Sequence, residues 1–254
     1  MNILVSNDDG IDAKGIKCIA ERLRKDNHKV IVVAPDSNRS AVSNHLSMYN
    51  FHKLIQKDKD SYSHTGYPAD CVFTAITSDF FPKFDVVIGG INAGGNMGSD
   101  IIYSGTCAIA RQGVLLGVPS IALSIEPLYR GQNKEEYIYE GLADFTAKNL
   151  KTLISLSNTE YPQCFVNINA LSKKEFSEVR FADKICHRKY HDKVKIEKIS
   201  EKEYTSTFVL GADDDSSVSD DSDLDICKKG YITISRINAC YESAESIDGI
   251  KFSL

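Results

Sequence analysis

Four short, almost unbroken apolar runs constrain this chain more than any other feature. They cover residues 3–6, 30–34, 85–91 and 120–125. Runs this apolar suit strands covered on both faces, which is the condition of a parallel sheet. Helical patterns separate them. Ile16, Ile19, Ala20 and Leu23 share one face of residues 15–25, Pro68 opens a helix over 70–79, and residues 105–117 and 137–155 give two more. The strand–helix rhythm predicts an α/β fold on a doubly wound, mostly parallel sheet.

The second half is less regular. Residues 165–168, 204–210 and 231–235 read as strands, and 46–55 as an extended excursion from the first half. Residues 213–225 carry seven aspartates among serines. That composition is too polar to pack and predicts a solvent-exposed loop; the alternation and central glycine of an EF-hand are absent. The tail from Asn238 is amphipathic and reads as an exchanged or docking segment. With 254 residues and 42% hydrophobic content, the chain can bury one core, or one core with an appendage. A net charge of −5 gives no electrostatic basis for holding a nucleic-acid polymer. No run approaches the roughly 18 apolar residues of a membrane span, and no basic leader precedes the first strand. Seven cysteines are scattered without CxxC spacing, and Cys18, Cys71 and Cys107 fall inside expected helices. They predict reduced packing residues in a cytoplasmic protein.

Three polar clusters follow three of the expected strands. They are Asn7-Asp8-Asp9-Gly10, Asp36-Ser37-Asn38-Arg39-Ser40, and the Gly- and Asn-rich stretch from Asn92 to Asp100. Parallel strands point one way, so these loops gather on one edge of the sheet. Carboxylates, a hydroxyl and amide oxygens are hard donors that suit Mg, Mn or Ca rather than zinc. Asp8 and Asp9 balance a divalent charge, with Ser40 and Asn92 as neutral donors. Ser104-Gly105-Thr106 then opens a helix whose free N–H groups favour phosphate. A metal beside a phosphate cradle implies phosphoryl transfer or phosphate-ester hydrolysis. For the hydrolysis of a phosphomonoester, the cation activates a water and an aspartate of the pair is the candidate to accept its proton. Each piece alone has a plainer reading. Asn-Asp-Asp-Gly suits a turn, Ser40 an ordinary loop, and Arg39 either a surface ion pair or a phosphate contact. His45 and His64 lie at no metal-ligand spacing and read as structural. Neither GxxxxGK[ST], GxGxxG nor GxSxG is present. Two rival readings stay open. One is an aspartyl-phosphate phosphatase, whose Asp-x-Asp is here replaced by adjacent aspartates. The other is a non-catalytic nucleotide or phosphate binder.

The chain resembles the SurE survival-protein family. The resemblance rests on Asn-Ile-Leu-Val-Ser-Asn-Asp-Asp-Gly-Ile from Asn2, Val-Ala-Pro-Asp-Ser-Asn-Arg-Ser from Val33, Gly-Tyr-Pro-Ala-Asp-Cys-Val from Gly66, Gly-Ile-Asn-Ala-Gly-Gly-Asn-Met-Gly-Ser-Asp from Gly90, and Tyr-Ser-Gly-Thr from Tyr103. It returns weakly in Lys-Gly-Tyr-Ile-Thr-Ile-Ser, while residues 180–225 match poorly. The family's usual Ser-Gly-Ile-Asn is here Gly89-Gly90-Ile91-Asn92, and Cys107-Ala108-Ile109-Ala110 replaces Val-Gly-Ala-Ala. The resemblance implies a Rossmann-like three-layer core over residues 1–160 and a smaller oligomerising part over 161–254, together one SurE-like unit. It implies a metal-dependent 5′-nucleotidase, in a family of which some members also accept 3′-nucleotides. It implies metal ligands Asp8, Asp9, Ser40 and Asn92 around one divalent cation, Mg or Mn, with Asn96, Ser104, Gly105 and Thr106 at the phosphate. Arg39 is added to that phosphate set from its place in the second loop. A homodimer or homotetramer built through a hairpin and an exchanged tail is also implied.

Overall fold

The computed structural model describes residues 1–129, 131–209, 211, 213–214 and 218–240. In chain order the elements are β1 (Asn2–Ser6), α1 (Lys14–Lys25), β2 (Lys29–Pro35), β3 (Leu54–Asp58), β4 (Ser61–His64), α2 (Pro68–Thr77), β5 (Val86–Ala93), α3 (Gly105–Leu115), β6 (Ser120–Glu126), α4 (Glu140–Lys148), α5 (Leu150–Leu156), β7 (Cys164–Leu171), β8 (Val179–Phe181), β9 (Lys189–Tyr190), β10 (Lys193–Lys198), β11 (Tyr204–Val209), β12 (Asp213–Asp214), α6 (Asp223–Lys228) and β13 (Ile232–Asn238). Short 3₁₀ turns cover Gly98–Ile102 and Lys134–Glu136.

Nine strands make one sheet in the order β3-β4-β2-β1-β5-β6-β7-β13-β8. From β4 to β7 all neighbours are parallel. β3 and β13 join antiparallel to β4 and β7. The chain winds one way from β1 through β2 to β4, and the other way from β5 through β6 to β7. The winding therefore reverses between β1 and β5, where such sheets open a crevice at their carboxyl ends.

Alternation along the strands divides the core into two layers. Ile3, Val5, Val32, Ile88 and Leu123 pack with Ile16, Ile19 and Leu23 of α1 and with Leu142, Leu150 and Leu153 of α4 and α5. Leu4, Ile31, Val33 and Val87 pack instead with Cys71, Val72 and Ala75 of α2 and Ile109 of α3. Each such side chain gains about 1.5–3 kcal/mol from burial. Both faces of β1 and β5 are thus clamped, which fixes the loops at their ends.

Several expectations are corrected. The single helix over 137–155 is two, because Asn149 between them leaves the helical conformation, with φ −110° and ψ 13°, while its side-chain amide donates to the Phe145 carbonyl. Residues 46–53 are irregular, and only Leu54–Asp58 is strand. The acidic stretch 213–225 is not one exposed loop. Asp213–Asp214 pairs with Lys189–Tyr190, and Asp223 starts α6 with its carboxylate fully buried. Leu224, Ile226 and Cys227 supply the apolar face that its acidic neighbours mask in composition; residues 215–217 lie outside the described set. So does the tail beyond Cys240. Beyond residue 160 the chain divides: β7, β13 and β8 complete the main sheet, whereas β10 and β11 pair only with each other and are exposed throughout. All seven cysteines are unpaired. No helix among the described residues is long and apolar enough to cross a membrane.

Candidate active site

The end of β1 is where the chain changes character. Asn7 and Asp8 are still buried, and Asp9 is half-buried. Gly10 bends the chain with φ +102°, and a side chain there would stand 3.2 Å from the Ser37 carbonyl carbon. Conformation and close approach both require glycine. The bend brings in the loop after β2: Arg39 N donates to the Asp8 carbonyl at 2.7 Å. Asp9 joins that loop to the end of β5, its Oδ1 accepting from Asn38 Nδ2 at 3.5 Å and its Oδ2 from Ala93 N at 3.1 Å. The three expected loops do meet.

Asp8 is the most constrained member. Its Oδ1 accepts a 2.6 Å hydrogen bond from Thr106 Oγ1. Helix α3 starts against it so closely that a Cβ on Gly105 would lie 2.6 Å from Asp8 Cβ. Ser104 caps that helix, its Oγ accepting from Cys107 N at 3.0 Å. Asp8 is only 4% exposed. Burial pushes its carboxyl up to about 6; the Thr106 hydrogen bond opposes the shift and the neighbouring Asp9 charge adds to it.

Asp8, Ser40, Asn92, Asn96 and Ser104 share one open cleft of about 280 Å³ with Asp100, Tyr103 and Lys134. A larger groove of about 770 Å³ runs beside α4 and β8, lined by side chains such as Asp144, Lys148 and Glu178. Its charges are mixed and no strand-end loop enters it. Convergent polar groups locate chemistry better than volume does. Within the cleft, Asn92 Nδ2 donates to the Gly94 carbonyl at 2.7 Å, which leaves the amide oxygen uncommitted. Next to Asp8 in the chain, Asn7 Oδ1 is buried without a hydrogen-bond partner.

Asp9, Gly105, Thr106 and Arg39 do not line the cleft; Asp9 and Gly105 lie directly behind it, against the third loop and Asp8. Thr106 is fully buried with its hydroxyl on Asp8. Arg39 reaches Asp36 at 3.3 Å and lies over the Tyr67 ring at 5.5 Å, and it does not line the cleft. His64 is buried between Gly66 N and the Thr74 hydroxyl, and His45 packs on Tyr67. The sequence reading missed the bracket that holds Asn96. Asn96 Nδ2 donates to Ser124 Oγ at 2.7 Å, its N–H donates to Asn169 Oδ1 at 2.8 Å, and its carbonyl accepts from Asn167 and Asn169. The signal was present: Asn167 and Asn169 sit two apart on an otherwise apolar strand, and both are completely buried. Lys134 was also missed as a cleft residue, whereas Asp100 is the last residue of the third expected cluster.

The donor set fits a hard cation. Asp8 and Asp9 offer carboxylates, Ser40 a hydroxyl and Asn92 an amide oxygen, with no nitrogen or sulfur among them. No three His, Cys, Asp or Glu gather among the described residues, so neutral oxygens must complete any shell. A buried carboxylate with one hydroxyl partner, beside a second carboxylate, is the unfavourable charge that a cation relieves.

Residues 3–192 match the family model described as Survival protein SurE. The chain belongs to the SurE family. A protein called 5′-nucleotidase SurE from Xylella fastidiosa (strain 9a5c) is 48% identical over 138 residues, 54% of this chain and 53% of that one. The match thus spans about half the length of that relative. The 5′-nucleotidase SurE of Histophilus somni (strain 2336) is 35% identical over 257 residues, covering 99% of this chain and 98% of the relative. The crystal structure of the SurE protein from Aquifex aeolicus shares the fold with a TM-score of 0.78 and 28% identity over 95% of each chain.

Proposed function

We propose that this SurE protein is a 5′-nucleotidase: a phosphomonoesterase that hydrolyses nucleoside 5′-monophosphates to nucleoside and phosphate and depends on one divalent cation, Mg or Mn. Nucleoside 3′-monophosphates are a second substrate class in this reading. The observation that carries it is Asp8, buried at the point where the sheet winding reverses, with the start of α3 pressed against it and a polar cleft in front. Relatives called 5′-nucleotidase SurE support the same activity.

In this reading Asp8, Asp9, Ser40 and Asn92 hold the cation. When bound, it supplies charge neutralisation at a phosphoryl oxygen and lowers the pKa of a water. The chain's own residues do the rest. Thr106 orients Asp8 and favours its ionised form. Asp9 locks the loops after β2 and β5 to one another, and is the candidate for receiving a proton from the attacking water. The N-terminus of α3, with Ser104 and Gly105, presents backbone N–H groups and a positive dipole end to the phosphate. Asn96 faces the phosphate on a backbone pinned by Asn167 and Asn169. Arg39 keeps the second loop on Asp8. The exposed β10–β11 hairpin carries Val194, Ile196 and Phe208 at 50%, 67% and 75% exposure, which supports assembly into a homodimer or homotetramer.

The test is phosphate release from a panel of nucleoside monophosphates against a panel of cations. Turnover that needs Mg or Mn and stops in excess EDTA is expected. Equal turnover in EDTA, or a trapped phospho-aspartate, would overturn the mechanism.

A further inference from the structure

The charge around the cleft is the starting point. A phosphomonoester dianion must approach a site bearing Asp8 on its lining and Asp9 beside it, on a chain of net charge −5. Asp100, also on the lining, is balanced by Arg188 at 2.7 Å. A divalent cation balances Asp8 and Asp9 and leaves the phosphate charge uncompensated except by the α3 dipole. Of the residues lining the cleft, one is a cation, Lys134. Its ammonium has no ion pair among the described residues, although Glu135 and Glu136 follow it directly. Glu135 is taken by Lys14 of α1 in an ion pair.

The backbone that carries Lys134 is held from both sides. Lys14 Nζ donates to the Glu135 carbonyl at 3.0 Å. Asn133 caps the 3₁₀ turn, its Oδ1 accepting from Glu135 N at 3.1 Å. Ile138 N donates to Ser172 Oγ at 2.8 Å, beyond the end of β7. The turn is thus fixed to α1 and to the sheet, while the side chain stays uncommitted. A solvated surface lysine needs no such anchoring. A phosphate-directed ammonium gains from it, because a charge carried on a fixed backbone loses less freedom when it binds.

Resting on the nucleotidase reading above, we propose that Lys134 is a substrate-binding residue that clamps the phosphate of the nucleotide from the β6–α4 turn. Its charge acts on the phosphate itself, so it serves any nucleoside monophosphate equally and does not select the base.

The test uses the Mn-loaded full chain and inorganic phosphate as the probe, followed by calorimetry or by competition against a chromogenic ester. Lys134→Met is expected to weaken phosphate binding by about tenfold or more, and Lys134→Arg to stay within about threefold of wild type. With adenosine 5′-monophosphate, KM should rise about tenfold in Lys134→Met with kcat changed by less than about threefold. Thermal unfolding of both variants should match wild type, since an exposed, unpaired side chain is removed. Unchanged phosphate affinity in Lys134→Met overturns the proposal, as does an equal loss in Lys134→Arg. If wild type binds phosphate but hydrolyses no nucleotide, the function above fails while the affinity ratio still decides Lys134. If wild type binds no phosphate, both fall.

Discussion

Three aspartates are buried among the described residues. Asp70 accepts from Ser47 and Tyr67 at the start of α2, and the other two, Asp8 and Asp223, are buried for different reasons. Asp223, at the start of α6, accepts from Gly98 N at 2.7 Å and from Cys186 N and Leu224 N at 2.9 Å. It stitches the third site loop to the C-terminal segment, and nothing is left for a ligand. Asp8, at the end of β1, has the Thr106 hydroxyl and weaker help from the backbone of Asp8 and Gly105, a like charge beside it and an open cleft in front. Burial raises the carboxyl of both. In one case three backbone donors answer the burial inside the fold; in the other the Thr106 hydroxyl and the backbone of Asp8 and Gly105 answer it in part, and in the proposed reading a cation completes it. That contrast is the physical ground, independent of sequence similarity, for proposing Asp8 and not Asp223 as the functional carboxylate.

The largest expected effect breaks the comparison on the Asp8 side. Asp8→Asn should lower kcat/KM for nucleoside monophosphates by about a thousandfold or more, measured as phosphate release, with the circular dichroism spectrum unchanged. On the other side, Asp223→Ala should cost about 3 kcal/mol in chemical denaturation, because three backbone N–H groups lose their acceptor. That variant should keep its response to added cation.

The third effect is a pH dependence of the metal-free protein. The folded Asp8 carboxyl titrates at about 6 and an unfolded one near 3.9. Between those values the native state binds more protons than the unfolded state, so stability falls as pH rises. Across that window wild type should lose about 3 kcal/mol relative to Asp8→Asn, which lacks the group. Metal-free Asp8→Asn should therefore be the more stable protein at pH 7.5, read from denaturant midpoints at each pH. The smallest effect is Thr106→Val, which removes the hydroxyl that orients Asp8 and should reduce activity about tenfold.

The sequence made much of this legible, for a physical reason. Strands covered on both faces must be apolar along their length, so β1, β2, β5 and β6 stand out, and a polar residue just after each marks a loop at the sheet edge. Asp8, Asp9, Ser40 and Asn92 could be grouped on that basis. Strand order could not, because the residues of a parallel strand do not record their neighbours, and so the reversal between β1 and β5 was hidden. Asn167 and Asn169 were missed because each is buried by partners over 70 residues away in sequence. Asp223 was lost in an acidic run for the same reason: two of its donors come from Gly98 and Cys186. Contacts set by distant backbone leave no local pattern.

The contrast between the two aspartates rests on a cation completing Asp8. Thermal unfolding of wild type, Asp8→Asn and Asp223→Ala, each with EDTA and with saturating Mn, tests that directly. Binding at about a hundred times Kd stabilises by about 2.7 kcal/mol, so Mn should raise the midpoints of wild type and Asp223→Ala by about 5 °C or more and leave Asp8→Asn unmoved. An equal shift in all three proteins, or none in wild type, would contradict it.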